Sequence, residues 1–482
     1  MNKSKLLLTI RKLSDTELQR FLAYVHSPFF HQHQATIALV EYLCRHLQQP
    51  EQLQKERAFA ALFPGEKVQV AKLRNLMSYA MELLDGFLAQ VAFEKRNTPW
   101  VYNLQAGIER DLSTQITRNF KKAQKQVRKS PYRDTIYYWQ QYKLYHHQDQ
   151  QHNLHVDPLD SSYLEESIRA LDHFYLIEML QLHAELLARQ NVRRETLDLT
   201  ALERLLHRIE KNWENYQQVP AVRIYYHVIK LALERRAQDY RALQELLDLH
   251  HTNFEQSELV QLYVSTINFA IYQYGIGRSE YLEDIFQLYN KMIQQGVFLH
   301  HGLLNETSYS NVISIACKLR QFDWATDFAD HFQQYLPVEV SQNAYAYGQA
   351  VICYYQQAYD QASSLLLQVR FTNQFYQMNT RLMLAKIYYE QEKSQLLGPF
   401  LDSFRLFLKR GKGLPAHHQQ TCRKFVKALQ GLAHLRGNRR WLSATEFDER
   451  LHNFRSKIEA QRQAITNDEW LLEQVDRLAN KA

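Results

Sequence analysis

Thirteen glycines and ten prolines serve a chain of 482 residues, well below the usual ~7% and ~5%. Sheet-rich folds turn often and tightly, and tight turns draw on these two residues. Their scarcity predicts an all-α chain of long helices joined by few, short loops. The chain is too long for one compact core, so several domains or an extended array are expected. Apolar residues at 45% and charged residues at 23% indicate a folded composition, not a disordered one.

The N-terminal part reads as helices with clear punctuation. Ser14 and Glu17 have capping-box spacing, in which each side chain satisfies the other's free backbone N–H. Leu18, Phe21, Leu22 and Val25 then share one helix face. Pro28 ends that helix, because it lacks an N–H and disfavours helical angles at Ser27. Phe29 and Phe30 follow at the corner of a helical hairpin. Two roles are open to them: rings plugging the hairpin end, the expected one, or an exposed docking knob. Further helices are expected near 53–62 and 67–95, and residues 1–98 form an N-terminal helical domain.

A long helix is expected over 102–129, then an aromatic segment (Tyr137, Tyr138, Trp139, Tyr142, Tyr145). The polar run HHQDQQHNLHVDPLD, 146–160, reads as a linker; residues 99–160 are grouped on that basis. Beyond it the chain repeats itself. CKLRQFDWATDFADHF (317–332) aligns with YYQQAYDQASSLLLQV (354–369), matching Phe322 with Tyr359, Asp323 with Asp360 and Ala325 with Ala362. LAKIYYEQEKSQLLGPFL (384–401) matches Ala350 with Ala385 and Tyr354 with Tyr389. A small residue in mid-helix and another early in the next helix let the two helices of a hairpin approach closely.

Residues 305–410, with Ala350, Ala362 and Ala385 in small places and Tyr354 and Tyr389 in aromatic ones, resemble tetratricopeptide repeats. The family's Trp, its Leu-Gly pair and its closing Pro are absent. Degenerate hairpins start near 164, 220, 257 and 415. GLLNETSYSNVISIACKLRQFDWATDFADHF (302–332) is also similar to one pentatricopeptide unit, a class that reads RNA through unbroken tandem arrays. RFLAYVHSPFF and ALFPGEKVQVAKLRNLMSYAMELL give the whole chain a resemblance to a group of large bacterial helical proteins that carries no known activity. The resemblance implies an irregular α-solenoid of stacked hairpins over 161–440, closed by capping helices over 441–482. Ser443 with Glu446 and Thr466 with Glu469 have capping-box spacing there.

No phosphate-binding glycine loop, zinc-protease helix or nucleophile elbow is present. His146, His147, His152 and His155 cluster, but neighbouring histidines on a helix diverge by ~100° and no cysteine completes a tetrahedral set. Cys44, Cys317, Cys353 and Cys422 are scattered, a reduced pattern without a zinc framework. No apolar run reaches the ~20 residues that span a bilayer. A cytoplasmic protein without enzyme activity, cofactor, metal, membrane partner or small-molecule substrate is expected.

Charge is unevenly placed. The net charge is +7, yet 110–133 hold eight Lys/Arg against Asp111, and 405–440 hold ten and no acid. Arg118, Lys122, Lys125 and Lys129 form one stripe opposite Ile116, Phe120, Ala123 and Val127. Lys409, Arg410, Lys412, Arg423, Lys424 and Lys427 belong to the second cluster. Each segment is either a solvated face or a contact for phosphates or an acidic partner. The repeat register turns Tyr347, Tyr354, Lys386 and Tyr389 towards a concave face, to bind a protein or peptide or to wedge neighbouring hairpins. A non-enzymatic protein-interaction scaffold is the expected function, with nucleic-acid or ribonucleoprotein binding through the basic segments as the alternative.

Overall fold

The computed structural model describes the chain except residues 2–3, 96–97, 156–159, 194–196, 300–301, 370–373, 412–413, 415 and 481–482. Helix accounts for 81% of the described residues, far above the ~30–35% norm, and they contain no strand. The all-α expectation holds. Two compact units are formed, Met1–Ser130 with Ile136–Phe174, and Pro131–Thr135 with Tyr175–Ala482.

The first unit opens with α1 (Lys5–Ile10), α2 (Asp15–His26), α3 (Gln34–Arg45), α4 (Lys55–Leu62) and α5 (Val70–Lys95). The Ser14–Glu17 capping box forms as expected. Leu73, Leu76, Ala80, Leu84 and Phe87 make α5 the spine on which α1 to α4 pack. The corner rings do not plug the hairpin. Phe29 is 88% exposed and Phe30 44%. Tyr24 takes the inner place, with its ring stacked on Phe30 at 4.2 Å, and Phe29 stands edge-on to Phe30 at 5.0 Å.

Next come α6 (Pro99–Glu109), α7 (Ser113–Lys129), α8 (Thr135–His155) and α9 (Ser162–Arg193), the last ending in the second unit. The single helix expected over 102–129 is broken. Asp111 adopts φ 51°, and the Leu112 N–H turns back to the Gly107 carbonyl. That folds α7 onto α6, where a Cβ on Gly107 would meet Ile116 Cγ1 at 2.9 Å. The polar run 146–155, expected as linker, is helical in α8. His147 and Asp149 are buried there, so an alternation of polar residues hid a packed face.

The second unit continues with α10 (Thr200–Lys211), α11 (Trp213–Tyr216), α12 (Pro220–Glu234), α13 (Ala237–His250), α14 (Gln256–Gly275) and α15 (Tyr281–Gln294). It proceeds through α16 (Glu306–Lys318), α17 (Phe322–Phe332), α18 (Val338–Tyr355), α19 (Tyr359–Gln368), α20 (Gln374–Glu390) and α21 (Ser394–Arg410). It ends with α22 (Ala416–Asn438), α23 (Ala444–Glu459) and α24 (Asp468–Asn480). Successive helices pack in pairs, and α16 also packs along α18. Ala325, Ala350, Ala362 and Ala385 are fully buried, as their small-residue role requires. Between α16 and α18 a Cβ on Gly348 would lie 2.8 Å from Ile313 Cδ1.

The turns after α14, α16, α18 and α20 share one construction. Gly277, Arg320, Gln357 and Glu392 sit in the left-handed region with φ of 94°, 59°, 64° and 53°. The N–H of each bonds back to Tyr274, Cys317, Tyr354 and Tyr389, and the next N–H to Gln273, Ala316, Cys353 and Tyr388. This is the Schellman closure, which satisfies the orphan carbonyls of a helix end. Its last three copies fall at the 37- and 35-residue offsets read from the sequence. Only the first uses glycine, so the other three carry the Cβ cost of left-handed backbone.

Two stability outcomes follow. Gln357→Gly is expected to raise the melting temperature and Gln357→Val to lower it, since the exposed Gln357 side chain is dispensable and the backbone angle is not. Ala362→Leu is expected to cost roughly 1–3 kcal/mol by overpacking, measured by urea unfolding. Equal stability of Ala362→Leu and the parent chain would contradict the close approach.

Candidate functional site

The polar residues that converge in the second unit come from helix ends. Tyr274, Lys318, Tyr355 and Glu390 occupy the last turns of α14, α16, α18 and α20. Lys318, Tyr355 and Glu390 are at equivalent positions, one residue beyond the anchors Cys317, Tyr354 and Tyr389 of the shared turn. Two of these ends, those of α14 and α20, bond directly to α24.

Two faces of α24 have separate duties. Leu471, Val475 and Leu478 are buried in a core shared with Phe425 and Leu429 of α22 and Leu451 of α23. The other edge is polar. Glu390, with 9% of its side chain exposed, accepts hydrogen bonds from Trp470 Nε1 (3.0 Å), Gln474 Nε2 (2.9 Å) and Arg477 Nη1 (2.8 Å). The Tyr274 hydroxyl donates to Glu469 at 2.9 Å and accepts from Lys318 Nζ at 3.1 Å. Lys386 Nζ donates to the amide oxygen of Asn467 at 2.5 Å. Donors and acceptors nearly two hundred residues apart are thereby joined.

Lys386 is the least comfortable member. Its ammonium lies 5.8 Å from the Tyr354 ring centre and 5.6 Å from that of Trp470. Asn467 is its hydrogen-bond partner among the described residues, and it is a neutral one. Burial pushes its pKa down to about 7 and the charge of Lys318 adds to the shift; Glu473, Glu390 and Glu469 oppose it. The Tyr274 hydroxyl is raised, first by burial and then by the Glu469 carboxylate.

The tyrosines assigned to a groove are interior. Tyr347, Tyr354 and Tyr389 are buried, and Lys386 is half-buried. Tyr389 packs its ring 5.6 Å from Trp470, under the Arg436 guanidinium at 3.9 Å. They wedge helices together and do not line an open surface.

A second polar network is centred on Glu258. Glu258 Oε1 accepts from the Tyr225 hydroxyl (2.8 Å) and from Gln181 Nε2 (2.6 Å), while Thr135 Oγ1 donates to Gln181 Oε1 at 3.0 Å. Burial, reinforced by Asp134, pushes the Glu258 carboxyl up to about 7.

The basic segments differ from each other. On α7, Arg118, Lys122, Lys125 and Lys129 are exposed, as are Lys121 and Arg128, and Ile116, Ala123 and Val127 are buried opposite. No carboxylate of the described residues pairs with the four stripe residues. The second cluster is partly offset. Arg405 pairs with Asp402 at 3.2 Å, Arg423 donates to the Leu408 carbonyl at 2.9 Å and Arg436 to the Tyr389 carbonyl at 2.7 Å. Lys409 and Arg410 sit in the last turn of α21, where the helix dipole favours cations. Lys424 is half-buried and Lys427 exposed; Lys412 lies outside the described residues. Among the described residues, no helix is long and apolar enough to cross a membrane.

No protein-family model matches this chain, and no curated protein or solved structure was found to be similar to it.

Sequence reasoning missed Tyr274, Lys318, Glu390, Asn467 and Glu469. The repeat register carried a usable signal, because the position after each anchor reads Lys318, Tyr355 and Glu390, polar or amphipathic in all three hairpins.

The low pKa of Lys386 has a defined pH signature. Between about pH 7 and its ordinary 10.5 the unfolded chain holds the proton and the folded chain does not. Stability therefore rises with pH in that window, by at most about 1.4 kcal/mol per pH unit from this group, and the gain is lost as pH falls through 7. Urea unfolding of the parent chain and of Lys386→Met should differ by an amount that changes across pH 7–10. A constant difference would show that Lys386 titrates normally.

Proposed function

We propose that the chain is a non-enzymatic protein-interaction scaffold, an irregular solenoid of helical hairpins that binds a protein or peptide segment along its row of first helices. One observation supports the reading most. The side-chain tips of α14 and α20 hold α24 and the residue before it through five named polar contacts, with Glu469, Asn467, Trp470, Gln474 and Arg477. A row that seats one helix this way has the chemistry to seat another, with hydrogen bonds fixing register and buried rings supplying contact area. The repeated Schellman turns support the solenoid reading, because identical closures keep successive hairpins in like orientation.

The test is a pull-down from native lysate with the full chain, with and without nuclease. A partner retained after nuclease and lost from the Lys318→Glu variant, at unchanged circular dichroism, supports the scaffold. Partners that all vanish with nuclease contradict it.

A second reading has its own observation. The α7 stripe presents four cations that no carboxylate of the described residues pairs, on a helix without a single acidic residue, and each phosphate neutralised contributes about 0.7–0.9 to the log–log salt slope of binding. If α7 contacts nucleic acid, Lys122→Glu with Lys125→Glu is expected to lower that slope by about two contacts, leaving the helix folded. Fluorescence anisotropy with a single-stranded and a duplex oligonucleotide across salt reads it directly. Tight binding with an unchanged slope would clear α7.

A further inference from the structure

Lys386 has the surroundings of a nucleophilic amine. An amine on a helix end is normally hydrated or ion-paired. Here α20 delivers it between two aromatic rings, against the neutral amide of Asn467. The nearest acidic side chain on its own helix, Glu390, is already engaged by Trp470, Gln474 and Arg477. From α16, Lys318 adds a second positive charge that repels the first. Glu469 and Glu473 of α24 face the pair and partly offset it, and Tyr274 of α14 stands between Glu469 and Lys318. Apolar walls and a neighbouring cation are the two conditions that keep a lysine unprotonated and nucleophilic near neutral pH. The pair also differs in access: Lys386 is half-buried and Lys318 exposed, although the Lys318 ammonium is held by the Tyr274 hydroxyl and burial pushes its pKa down.

We infer that Lys386 is a carbonyl-capture site for small 2-oxo acids, with Lys318 as the counter-ion of their carboxylate. The unprotonated amine attacks the ketone carbon to give a carbinolamine. The carbonyl oxygen then leaves with the two amine protons as water, and a C=N bond replaces C=O. No electrons are gained or lost, so no redox partner is needed. The capture is stoichiometric and reversible, and it does not rest on the scaffold reading.

The experiment uses the full chain, pyruvate as the probe and sodium cyanoborohydride to reduce and trap the imine, followed by peptide mass mapping. Lys122, exposed on α7 and without an ion-pair partner among the described residues, serves as the internal reference. At pH 7, Lys386 is expected to be alkylated about tenfold faster than Lys122 or more, with a rate that rises to a plateau just above neutrality while that of Lys122 keeps rising. Acetaldehyde, which lacks the carboxylate, is expected to react at Lys386 more slowly than pyruvate. Lys318→Met should abolish that preference. Alkylation of Lys386 no faster than Lys122, in protein with native circular dichroism, overturns the inference. Fast alkylation with no preference for pyruvate, or a preference that survives in Lys318→Met, overturns the assignment of 2-oxo acids and of Lys318.

Discussion

The carboxylate of Glu390 is the fixed point of the second unit. It is almost withdrawn from water, and an unpaired carboxylate there would be costly. Three donors from α24 satisfy it, each hydrogen bond to a charged group being worth ~1.5–3 kcal/mol. The bargain binds both sides: the indole N–H of Trp470, itself buried, also has Glu390 as its acceptor. Because α24 is rooted by Leu471 and Val475 in the core of α22 and α23, holding Glu390 means holding the C-terminal helices across the ends of the earlier hairpins. Tyr274 and Lys386 extend the same clasp to α14 and α20.

This arrangement changes what the buried tyrosines do. Tyr354 and Tyr389 were readable as repeat anchors, and as anchors they behave: each sits where the Schellman turn closes. Their rings then form the floor on which Lys386, Trp470 and Arg436 rest. The residues that meet solvent are one position further along, Lys318 on α16 and Tyr355, half-buried, on α18. A one-residue step on a helix is a turn of ~100°, enough to exchange floor for rim.

Much of the architecture was legible because it depends on local rules. Scarce Gly and Pro gave the all-α class, and buried alanines 37 and 35 residues apart in register gave the hairpins. Two capping boxes, at Ser14 and Ser443, formed as their spacing predicts. The failures share a cause, since tertiary contacts outbid local preference. Thr466 and Glu469 have capping-box spacing, but α24 starts at Asp468 and the Glu469 carboxylate accepts from Tyr274 instead. The residue lost to the cap is the one gained by the site. Phe29 looked like core because large rings usually are, yet Tyr24 already fills the inner place in the ring ladder. The α6–α7 break hinged on the approach of Ile116 to Gly107, which no helical periodicity records. Beyond the hint in the repeat register, the site was illegible, because its members are brought together by contacts 44 to 195 residues apart in the chain.

The central claim is that α24 clasps hairpins distant in the chain through Glu390, and hydrogen exchange on the Glu390→Ala variant tests it most directly. With the carboxylate removed, amides of α24 and of the last turns of α14 and α16 are expected to exchange faster together, although α14 ends more than a hundred residues before Glu390 and nothing near it has changed. Faster exchange confined to α20 and α24, with the ends of α14 and α16 as protected as in the parent chain, would contradict the account.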